Sequence, residues 1–386
     1  MTIKFGTDGW RAVIADEFTF ANAEIVTRAI AQYVIGRFGT SKPVVIGYDL
    51  RFLADKFAKR SAEILTEYGL KVEMTDQWYP TPVVAYVAKY HDTAGAMMFT
   101  ASHNPPEYLG IKFIPEYAGP AMPDITDVIV ANVAKIEADI TAGKTGVARE
   151  VTASDIQKIT PRKEYCDAIE KLVDISKIKS AASQRPLKVL FDPMYGCAQT
   201  YTDKLLQDLG HTVEGIHNSH NPSFGGRMPE PIGKLLPELL SRVPAEKFDF
   251  GIASDGDGDR FGVVDNNGRF LGANEIIPMV FRHLYKNKGL KGNVVKSLAT
   301  SNLLDALAEK YGDVEVISTP IGFKWMGQVM REQDIIIGGE QSGGFSIQGH
   351  IPEKDGILAA LVITEMLCYE QKSMSQIYDD MMAEAG

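Results

Sequence analysis

The sequence predicts an α/β protein built from three consecutive, similar domains with mixed sheets around a central cleft. Short β-rich runs alternate with helical patterns, which is typical of sheets that carry helices on both faces. The alternation restarts twice along the chain. With 386 residues, the chain also exceeds the ~250–300 residues at which a single hydrophobic core stops growing. We therefore predict domains over 1–150, 151–266 and 267–373, followed by a connecting segment over 374–386.

The first domain begins with an apolar, β-branched run at 44–46, which predicts a strand. Apolar residues at helical spacing then predict a helix over 56–68. A strand over 71–74, a helix over 82–90 and an apolar strand over 94–99 follow by the same criteria. This last strand leads directly into the polar sequence Thr100-Ala-Ser-His-Asn-Pro105.

The second and third domains repeat this pattern. The predicted strands of the second domain lie at 187–191, 212–216 and 248–252, with a helix over 198–209. Those of the third lie at 293–298, 314–318 and 334–337, with helices over 302–311 and 356–369. The sequence Asp265-Asn-Asn-Gly268 predicts a hairpin turn rather than a linker, so the second boundary is weakly marked. Ligands of open α/β sheets bind beyond the carboxyl ends of strands, which directs attention to the polar loops there.

Composition excludes several classes of function. The chain has 40 Lys and Arg against 50 Asp and Glu, a net charge of −10, whereas general nucleic-acid binders carry the opposite sign. Its three cysteines, Cys166, Cys197 and Cys368, have neither metal-ligand spacing nor enough members for a disulfide framework. No signal peptide and no apolar run of ~18 residues is evident. We expect a cytoplasmic protein, a monomer or homodimer, without nucleic-acid or membrane partners.

Ser102 is the first candidate functional residue, because it follows a strand and lies between small and turn-forming residues. The alternative is an ordinary Ser/Asn/Pro turn. A Ser–His hydrolase is disfavoured, since the adjacent His103 would need unusual geometry to reach Ser102 and no G-x-S-x-G elbow surrounds the serine. The sequence Ser-His-Asn-Pro, which occupies 102–105, recurs at 219–222 without a preceding Thr-Ala. We interpret that second copy as a structural loop near a domain interface.

Asp255, Asp257 and Asp259 form the second candidate site, since three carboxylates at alternate positions between glycines can converge on one hard cation. A solvated acidic turn is the alternative, although three like charges so close together repel each other. An EF-hand loop fails, because Arg260 stands at its sixth position and Asn266 at its twelfth. Three protein oxygens leave coordination sites open, which favours Mg²⁺ shared with a phosphate.

A glycine-rich loop over 338–344 is the third candidate, predicted to follow the strand 335–337. Glu340 and Ser342 supply hydrogen-bonding groups suited to vicinal sugar hydroxyls, and Lys354 adds a cation further along the chain. A generic glycine turn is the alternative.

Taken together and in this order, the motifs resemble those of the α-D-phosphohexomutase superfamily, the phosphoglucomutase/phosphomannomutase enzymes. The motifs that carry the resemblance are Phe5-Gly-Thr-Asp-Gly-Trp-Arg11, Thr100 to Pro105 with Tyr108, Gly110 and Lys112, Asp255 to Arg260, Thr319-Pro-Ile-Gly-Phe-Lys324, and Gly339 to Gly343. The resemblance extends from residue 3 to about 370.

The resemblance implies a Mg²⁺-dependent mutase that interconverts hexose 1-phosphate and hexose 6-phosphate through a phosphoserine and a 1,6-bisphosphate, which also acts as activator. Ser102 would carry the phosphate, and one phosphate oxygen would join Asp255, Asp257 and Asp259 around Mg²⁺. The implied catalytic residues are Ser102, His103, Arg11, Arg260 and Lys112, the last as general acid/base. The implied sugar-binding residues are Gly322, Phe323, Lys324, Glu340, Ser342 and Lys354.

The sequence departs from the family pattern in two places. Leu109 stands where the family often has Asn, and no Arg/Ser/Gly/Thr-rich loop of a fourth domain follows the third. We expect the distal phosphate to be gripped weakly in consequence. Gly344 stands where mannose- and glucosamine-type relatives often have His, which favours glucose. Phosphomannomutase, phosphoglucosamine mutase and a non-catalytic phosphosugar-binding protein stay open as alternatives.

Overall fold

The computed structural model describes residues 3, 9–143 and 156–386. Residues 5–8 of the opening motif and the predicted boundary at 150 lie outside the described residues. The chain divides into two compact units, one comprising Met1–Lys163 with Asn221–Arg227, the other Glu164–His220 with Met228–Gly386. Three mixed β-sheets with flanking helices lie within them, as the sequence predicts.

The first unit contains a six-stranded sheet in the order β1-β5-β4-β2-β3-β6. The two junctions made by β5 are antiparallel and the other three are parallel. Its strands are β1 (Trp10–Val13), β2 (Val44–Tyr48), β3 (Val72–Thr75), β4 (Ala96–Phe99), β5 (Tyr108–Ile114) and β6 (Ile156–Ile159). Its helices are α1 (Phe20–Phe38), α2 (Ala54–Glu67), α3 (Thr81–Tyr90) and α4 (Pro123–Thr141).

The second unit contains two sheets. The first has the order β11-β10-β9-β7-β8 and the second β13-β12-β14-β15. The strands of the former are β7 (Lys188–Asp192), β8 (Thr212–Gly215), β9 (Phe250–Ser254), β10 (Phe261–Asp265) and β11 (Phe270–Leu271). Those of the latter are β12 (Asn293–Ser297), β13 (Val316–Thr319), β14 (Ile335–Glu340) and β15 (Gly344–Ile347).

Nine helices are described around these two sheets. They are α5 (Arg162–Glu170), which starts at the join of the two units, α6 (Ile175–Gln184), α7 (Thr202–Asp208), α8 (Pro237–Ala245), α9 (Ala273–Lys286), α10 (Leu303–Tyr311), α11 (Phe323–Glu332), α12 (Gly356–Glu370) and α13 (Met374–Ala385). Within the described ranges, no helix is long and apolar enough to cross a membrane.

Helix α12 is the most enclosed helix of the second unit, with every residue from Gly356 to Cys368 buried. Its sequence is apolar nearly all round, which is the pattern of a helix covered on all sides. Asp355 begins the helix by accepting hydrogen bonds from the amides of Ile357 and Leu358, both at 2.9 Å. Because Asp355 directly follows Lys354, this cap fixes the backbone next to a predicted sugar-binding residue.

Every strand and helix singled out in the sequence is present, with ends that differ by a few residues. The hairpin turn predicted at 265–268 is confirmed, since β10 and β11 pair antiparallel across it. Several long helices, among them α1 and α4, had no prediction. The segment 374–385, predicted as a connection, forms helix α13, which buries Met374, Ile377 and Met381.

One local prediction was wrong. Gly338, Gly339 and Glu340 are not part of a flexible loop but the last residues of the buried strand β14. A Cβ on Gly338 would lie 2.7 Å from the Met330 sulfur, and one on Gly339 would lie 2.7 Å from Ile277 Cδ1. These glycines therefore serve close packing of helices against the sheet, and only residues 341–343 connect β14 to β15.

Candidate active site

Ser102 lies immediately beyond the carboxyl end of β4, as the sequence predicts, and is 1% exposed. Its backbone is left-handed, with a φ of 52°, a conformation that is uncommon for residues other than glycine and clusters at functional sites. Its amide donates a hydrogen bond to Thr100 Oγ1 at 2.8 Å. The Ser102 hydroxyl lies 3.4 Å from His103 Nδ1, so the ring does approach the serine, at a distance that makes only a weak hydrogen bond.

Arg51 holds the loop that carries Ser102 through hydrogen bonds to its backbone. The guanidinium donates to the carbonyl oxygens of Ser102 (2.7 Å), Asn104 (2.6 Å), Pro105 (2.8 Å) and Tyr108 (2.9 Å). Asp49 Oδ2 lies 3.2 Å from Arg51 Nε, and both side chains are fully buried. A planar fork of five donors can hold several acceptors in fixed positions, so Arg51 sets the backbone path on which Ser102 is mounted.

Strands β1 and β5 bring Arg11 and Lys112 to the same sheet. Arg11 pairs with Gly110 in the β1–β5 register, and its guanidinium donates to Asn104 Oδ1 at 2.9 Å. A Cβ on Gly110 would lie 2.6 Å from Trp10 O and 2.7 Å from Thr100 O, so only glycine allows this approach. Lys112 lies opposite Met98 of β4 and is 3% exposed.

The three aspartates converge in the second unit, in the turn between β9 and β10. Asp255, Asp257 and Asp259 are buried, and each offers a carboxylate oxygen within 4.8 Å of the others. Asp255 Oδ1 accepts the amides of Asp259 and Arg260, both at 3.0 Å, which folds the turn back on itself. Gly258 supplies the left-handed backbone, with a φ of 75°.

The charge balance of this turn fits a bound cation. Burial, together with repulsion from Asp259 and Asp257, raises the pKa of Asp255 well above its usual range. Burial by itself lowers the pKa of the Arg260 guanidinium, but the carboxylates around it together have the larger effect, so the pKa is raised. Three buried carboxylate oxygens are the ligand type that hard divalent cations prefer, so the residues present suit such an ion.

Segments that adjoin the sheet of β12 to β15 hydrogen-bond to the aspartate turn within the same unit. The Phe261 amide donates to Gly343 O at 2.7 Å, and the Gly356 amide donates to Gly258 O at 3.1 Å. The ammonium of Lys354 lies 3.5 Å from Asp259 Oδ2. The turn 255–260 and the two segments 341–343 and 354–356 are thus one assembly, which local sequence patterns could not show.

Glu340 and Ser342 are also brought together, since the Ser342 hydroxyl donates to Glu340 Oε1 at 2.5 Å. Gly322 precedes α11 with a φ of 119°, and Phe323 and Lys324 form the first turn of this helix. The Lys354 ammonium lies 5.3 Å from the centre of the Phe323 ring. Five of the predicted sugar-binding residues therefore lie at the carboxyl ends of β13 and β14, and the sixth, Lys354, joins them through Phe323.

Sequence reasoning missed Arg51, Asp49 and Gly196. The first two follow the apolar strand β2, so the rule that located Ser102 applied to them as well. Gly196 packs against the aspartate turn, where an added Cβ would lie 2.5 Å from Asp255 O. The signal was present in each case as a polar or glycine residue a few positions beyond the end of a predicted strand.

The family models that match the chain span most of it. They describe phosphoglucomutase/phosphomannomutase alpha/beta/alpha domain I over residues 2–139, domain II over residues 163–268 and domain III over residues 273–385.

Individual proteins agree with these models. A phosphoglucomutase/phosphomannomutase from Thermococcus kodakarensis is 31% identical over 378 residues, which cover 98% of this chain and 80% of that protein. A phosphoglucosamine mutase from Thermoanaerobacter pseudethanolicus is 30% identical over 384 residues, which cover 98% of this chain and 81% of that protein. A crystal structure of a candidate phosphomannomutase from Thermus thermophilus has 34% identity and a TM-score of 0.91, covering 100% of this chain and 84% of that chain. The chain belongs to the phosphoglucomutase/phosphomannomutase family, whose named members are intramolecular phosphotransferases that isomerise phosphosugars.

Proposed function

We propose that this enzyme interconverts hexose 1-phosphate and hexose 6-phosphate, with glucose as the preferred sugar. The observation that carries the proposal is the assembly in the second unit, where three buried carboxylates lie beside Lys354 and the Phe261 amide, just after them, hydrogen-bonds to Gly343 in the loop that carries Ser342. A cation site beside hydroxyl-binding groups is what a phosphorylated sugar requires.

Ser102 is the proposed carrier of the phosphoryl group. Its phosphate passes to the free hydroxyl of the hexose phosphate, which gives a hexose 1,6-bisphosphate and an unmodified serine. The other phosphate of this intermediate then returns to the Ser102 oxygen, so the product is the isomeric monophosphate and no phosphate is lost. Glucose 1,6-bisphosphate added from outside would phosphorylate an unmodified enzyme in the same way and so act as activator.

Mg²⁺ is the proposed metal, held by Asp255, Asp257 and Asp259 with one oxygen of the Ser102 phosphate. When bound, it would neutralise charge on the transferring phosphoryl group. Arg11 and Arg260 supply further positive charge, and Lys112 exchanges the proton of the attacking or leaving hydroxyl, with His103 beside the serine. Glu340 accepts hydrogen bonds from the sugar hydroxyls and Ser342 donates hydrogen bonds to them, next to Lys354 and the 322–324 turn.

The substrate is tested with a coupled assay that contains glucose 1-phosphate, a trace of glucose 1,6-bisphosphate and Mg²⁺. We expect glucose 6-phosphate to form and the rate to exceed that with mannose 1-phosphate or glucosamine 1-phosphate. Preference for either of the latter would support the phosphomannomutase or phosphoglucosamine mutase alternative, as named for relatives of this chain. Binding of all three sugars without any conversion would leave the phosphosugar-binding protein as the better description.

A further inference from the structure

A short segment from the middle of the chain packs onto the loop system of Ser102. Residues 221–227 belong to the first compact unit, although the chain on either side of them belongs to the second. This segment begins in the second copy of the Ser-His-Asn-Pro sequence, which the proposed function leaves without a role. Its central residue, Phe224, is 2% exposed.

Phe224 covers the residue that holds the Ser102 loop. The centre of its ring lies 4.9 Å from the guanidinium carbon of Arg51, within the range of a cation–π contact. The same guanidinium donates to four backbone carbonyls between Ser102 and Tyr108. The N–H groups of the guanidinium therefore point to the loop, and the Phe224 ring lies against the guanidinium.

The backbone of the segment is shaped to place this ring. Asn221 Oδ1 accepts the amide of Ser223 at 3.0 Å, and Phe224, Gly225 and Gly226 all have left-handed φ values of 47°, 65° and 76°. Glycine adopts this conformation without strain, whereas a bulky residue such as Phe224 rarely does. A strained residue persists only where its surroundings compensate, and burial of the ring over Arg51 provides such compensation.

We propose that Phe224 is a positioning residue for Ser102, acting through Arg51. The ring keeps water from the guanidinium and holds its plane, so that the four carbonyls and the left-handed Ser102 stay in one arrangement. The role in catalysis rests on the proposed function, in which Ser102 accepts and donates the phosphoryl group; the effect on the loop itself does not. Phe224 touches no reacting atom in this account.

The experiment compares three substitutions, Phe224→Ala, Phe224→Leu and Phe224→Tyr, with Tyr90→Ala as a matched control. Tyr90 also carries a cation–π contact, with Lys89 at 5.5 Å, but is 53% exposed and belongs to α3 rather than to the loop. Leu keeps apolar volume without a ring face, and Tyr keeps the ring. Two quantities are measured on the full chain: amide hydrogen exchange at Ser102, Asn104 and Tyr108, and the rate of Ser102 phosphorylation by glucose 1,6-bisphosphate.

For Phe224→Ala and Phe224→Leu we expect exchange at these amides to accelerate about tenfold, which is the order of a desolvated cation–π contact. The phosphorylation rate should fall by a similar factor, whereas Mg²⁺ affinity of the unphosphorylated protein should not change, because Asp255, Asp257 and Asp259 belong to the other unit. Tyr90→Ala should match the parent protein in both measurements, and Phe224→Tyr, which keeps the ring face but buries a hydroxyl, should stay closer to the parent than Phe224→Leu does.

The outcomes separate this proposal from the proposed function. If Phe224→Leu exchanges and reacts like the parent, the ring face does not hold Arg51 and the positioning role is wrong. Unchanged exchange in Phe224→Ala would likewise overturn it, whatever Ser102 does. If the parent protein takes no phosphate on Ser102 while the exchange results hold, the proposed function fails and the structural role of Phe224 stands.

Discussion

Lys354 is the residue that contacts both the aspartate turn, at Asp259, and a predicted sugar-binding residue, Phe323. Its ammonium lies near Asp259, and its side chain passes so close to Gly344 that a Cβ there would lie 2.3 Å from Lys354 Cδ. A larger residue at 344 would therefore have to displace Lys354. This gives a physical reason for linking Gly344 to the proposed sugar preference, because a change there moves the cation beside Asp259.

Replacing Lys354 by Met should change metal binding and catalysis in opposite directions. The substitution keeps the length of the side chain but removes a positive charge 3.5 Å from Asp259 Oδ2. Mg²⁺ should then bind about tenfold more tightly or better, because two unit charges ~4 Å apart interact by about 1 kcal/mol even in bulk water and Mg²⁺ carries two charges. Turnover of glucose 1-phosphate should fall. Titration calorimetry and the coupled assay measure the two effects. Lys324→Met, whose ammonium lies over Trp325 instead, should leave Mg²⁺ affinity unchanged; weaker Mg²⁺ binding by Lys354→Met would contradict this account.

Ser102→Ala should abolish phosphate incorporation while leaving the protein folded. Ser102 is buried, but only one small hydroxyl is removed and its contact with His103 is long, at 3.4 Å, so the free energy of unfolding should fall by no more than about 1 kcal/mol. Intact mass and peptide mapping after incubation with glucose 1,6-bisphosphate measure the incorporation. Ser219→Ala is the matched control from the second Ser-His-Asn-Pro copy and should still take up phosphate. Phosphate found on Ser219 and not on Ser102 would refute the assignment.

At the scale of elements, the junction of β7, β8 and α12 encloses a histidine. His211 precedes β8 and is 5% exposed. Its Nδ1 accepts the Leu187 amide at 3.2 Å, and its Nε2 faces Cys368 Sγ at 3.9 Å. Burial lowers the pKa of His211, partly offset by the charge of Asp249. The folded protein thus favours the neutral ring.

The pKa of His211 predicts how stability depends on pH. Since the pKa is lowered on folding, the unfolded chain binds the proton at a higher pH than the folded chain does. The free energy of unfolding should therefore fall as pH drops below the unfolded value of about 6.5. Urea unfolding at pH 7.5 and pH 5.0 measures this decline, which should be smaller in His211→Asn because Asn keeps an acceptor for Leu187 and does not titrate. Equal declines in the two proteins would show that His211 makes no contribution.

For the molecule as a whole, a buried polar network joins the helices of the second sheet to those of the third. Glu365 of α12 is fully buried and accepts hydrogen bonds from His283 Nε2 (3.0 Å), Lys288 Nζ (2.7 Å) and the Asp174 amide (2.5 Å). Asp174 in turn accepts from the Tyr369 hydroxyl at 2.9 Å. This network lies in the unit that also holds the aspartate turn and Lys354. It therefore helps to hold the two sheets of that unit in fixed positions relative to each other.

Glu365→Ala should destabilise the second unit strongly. The substitution leaves buried donors without their acceptor and removes the negative charge opposite Lys288, a change that costs about 3–5 kcal/mol. Glu365→Gln keeps the volume and one acceptor and should cost less. Scanning calorimetry measures both, and a loss below about 1 kcal/mol for Glu365→Ala would show that the network is not important for stability.

The sequence by itself determined the fold class, the family and the candidate residues, because these depend on local patterns. Alternating strands and helices predicted the three α/β layers, and apolar strands followed by polar loops located Ser102 and the three aspartates. The hairpin at 265–268 was likewise predictable, since its turn chemistry is written in four consecutive residues. The domain boundaries, the central cleft and the site roles stay predictions.

Only the tertiary structure decided how these parts combine. Gly338 and Gly339 suggested a flexible loop, whereas packing against Met330 and Ile277 made them part of a strand. Arg51 and Phe224 lie in different thirds of the sequence, so no local pattern could connect them. Lys354 and Asp259 are also far apart along the chain. Such pairs form because sheets and helices bury their apolar faces against one another, and this long-range packing selects which polar residues come together.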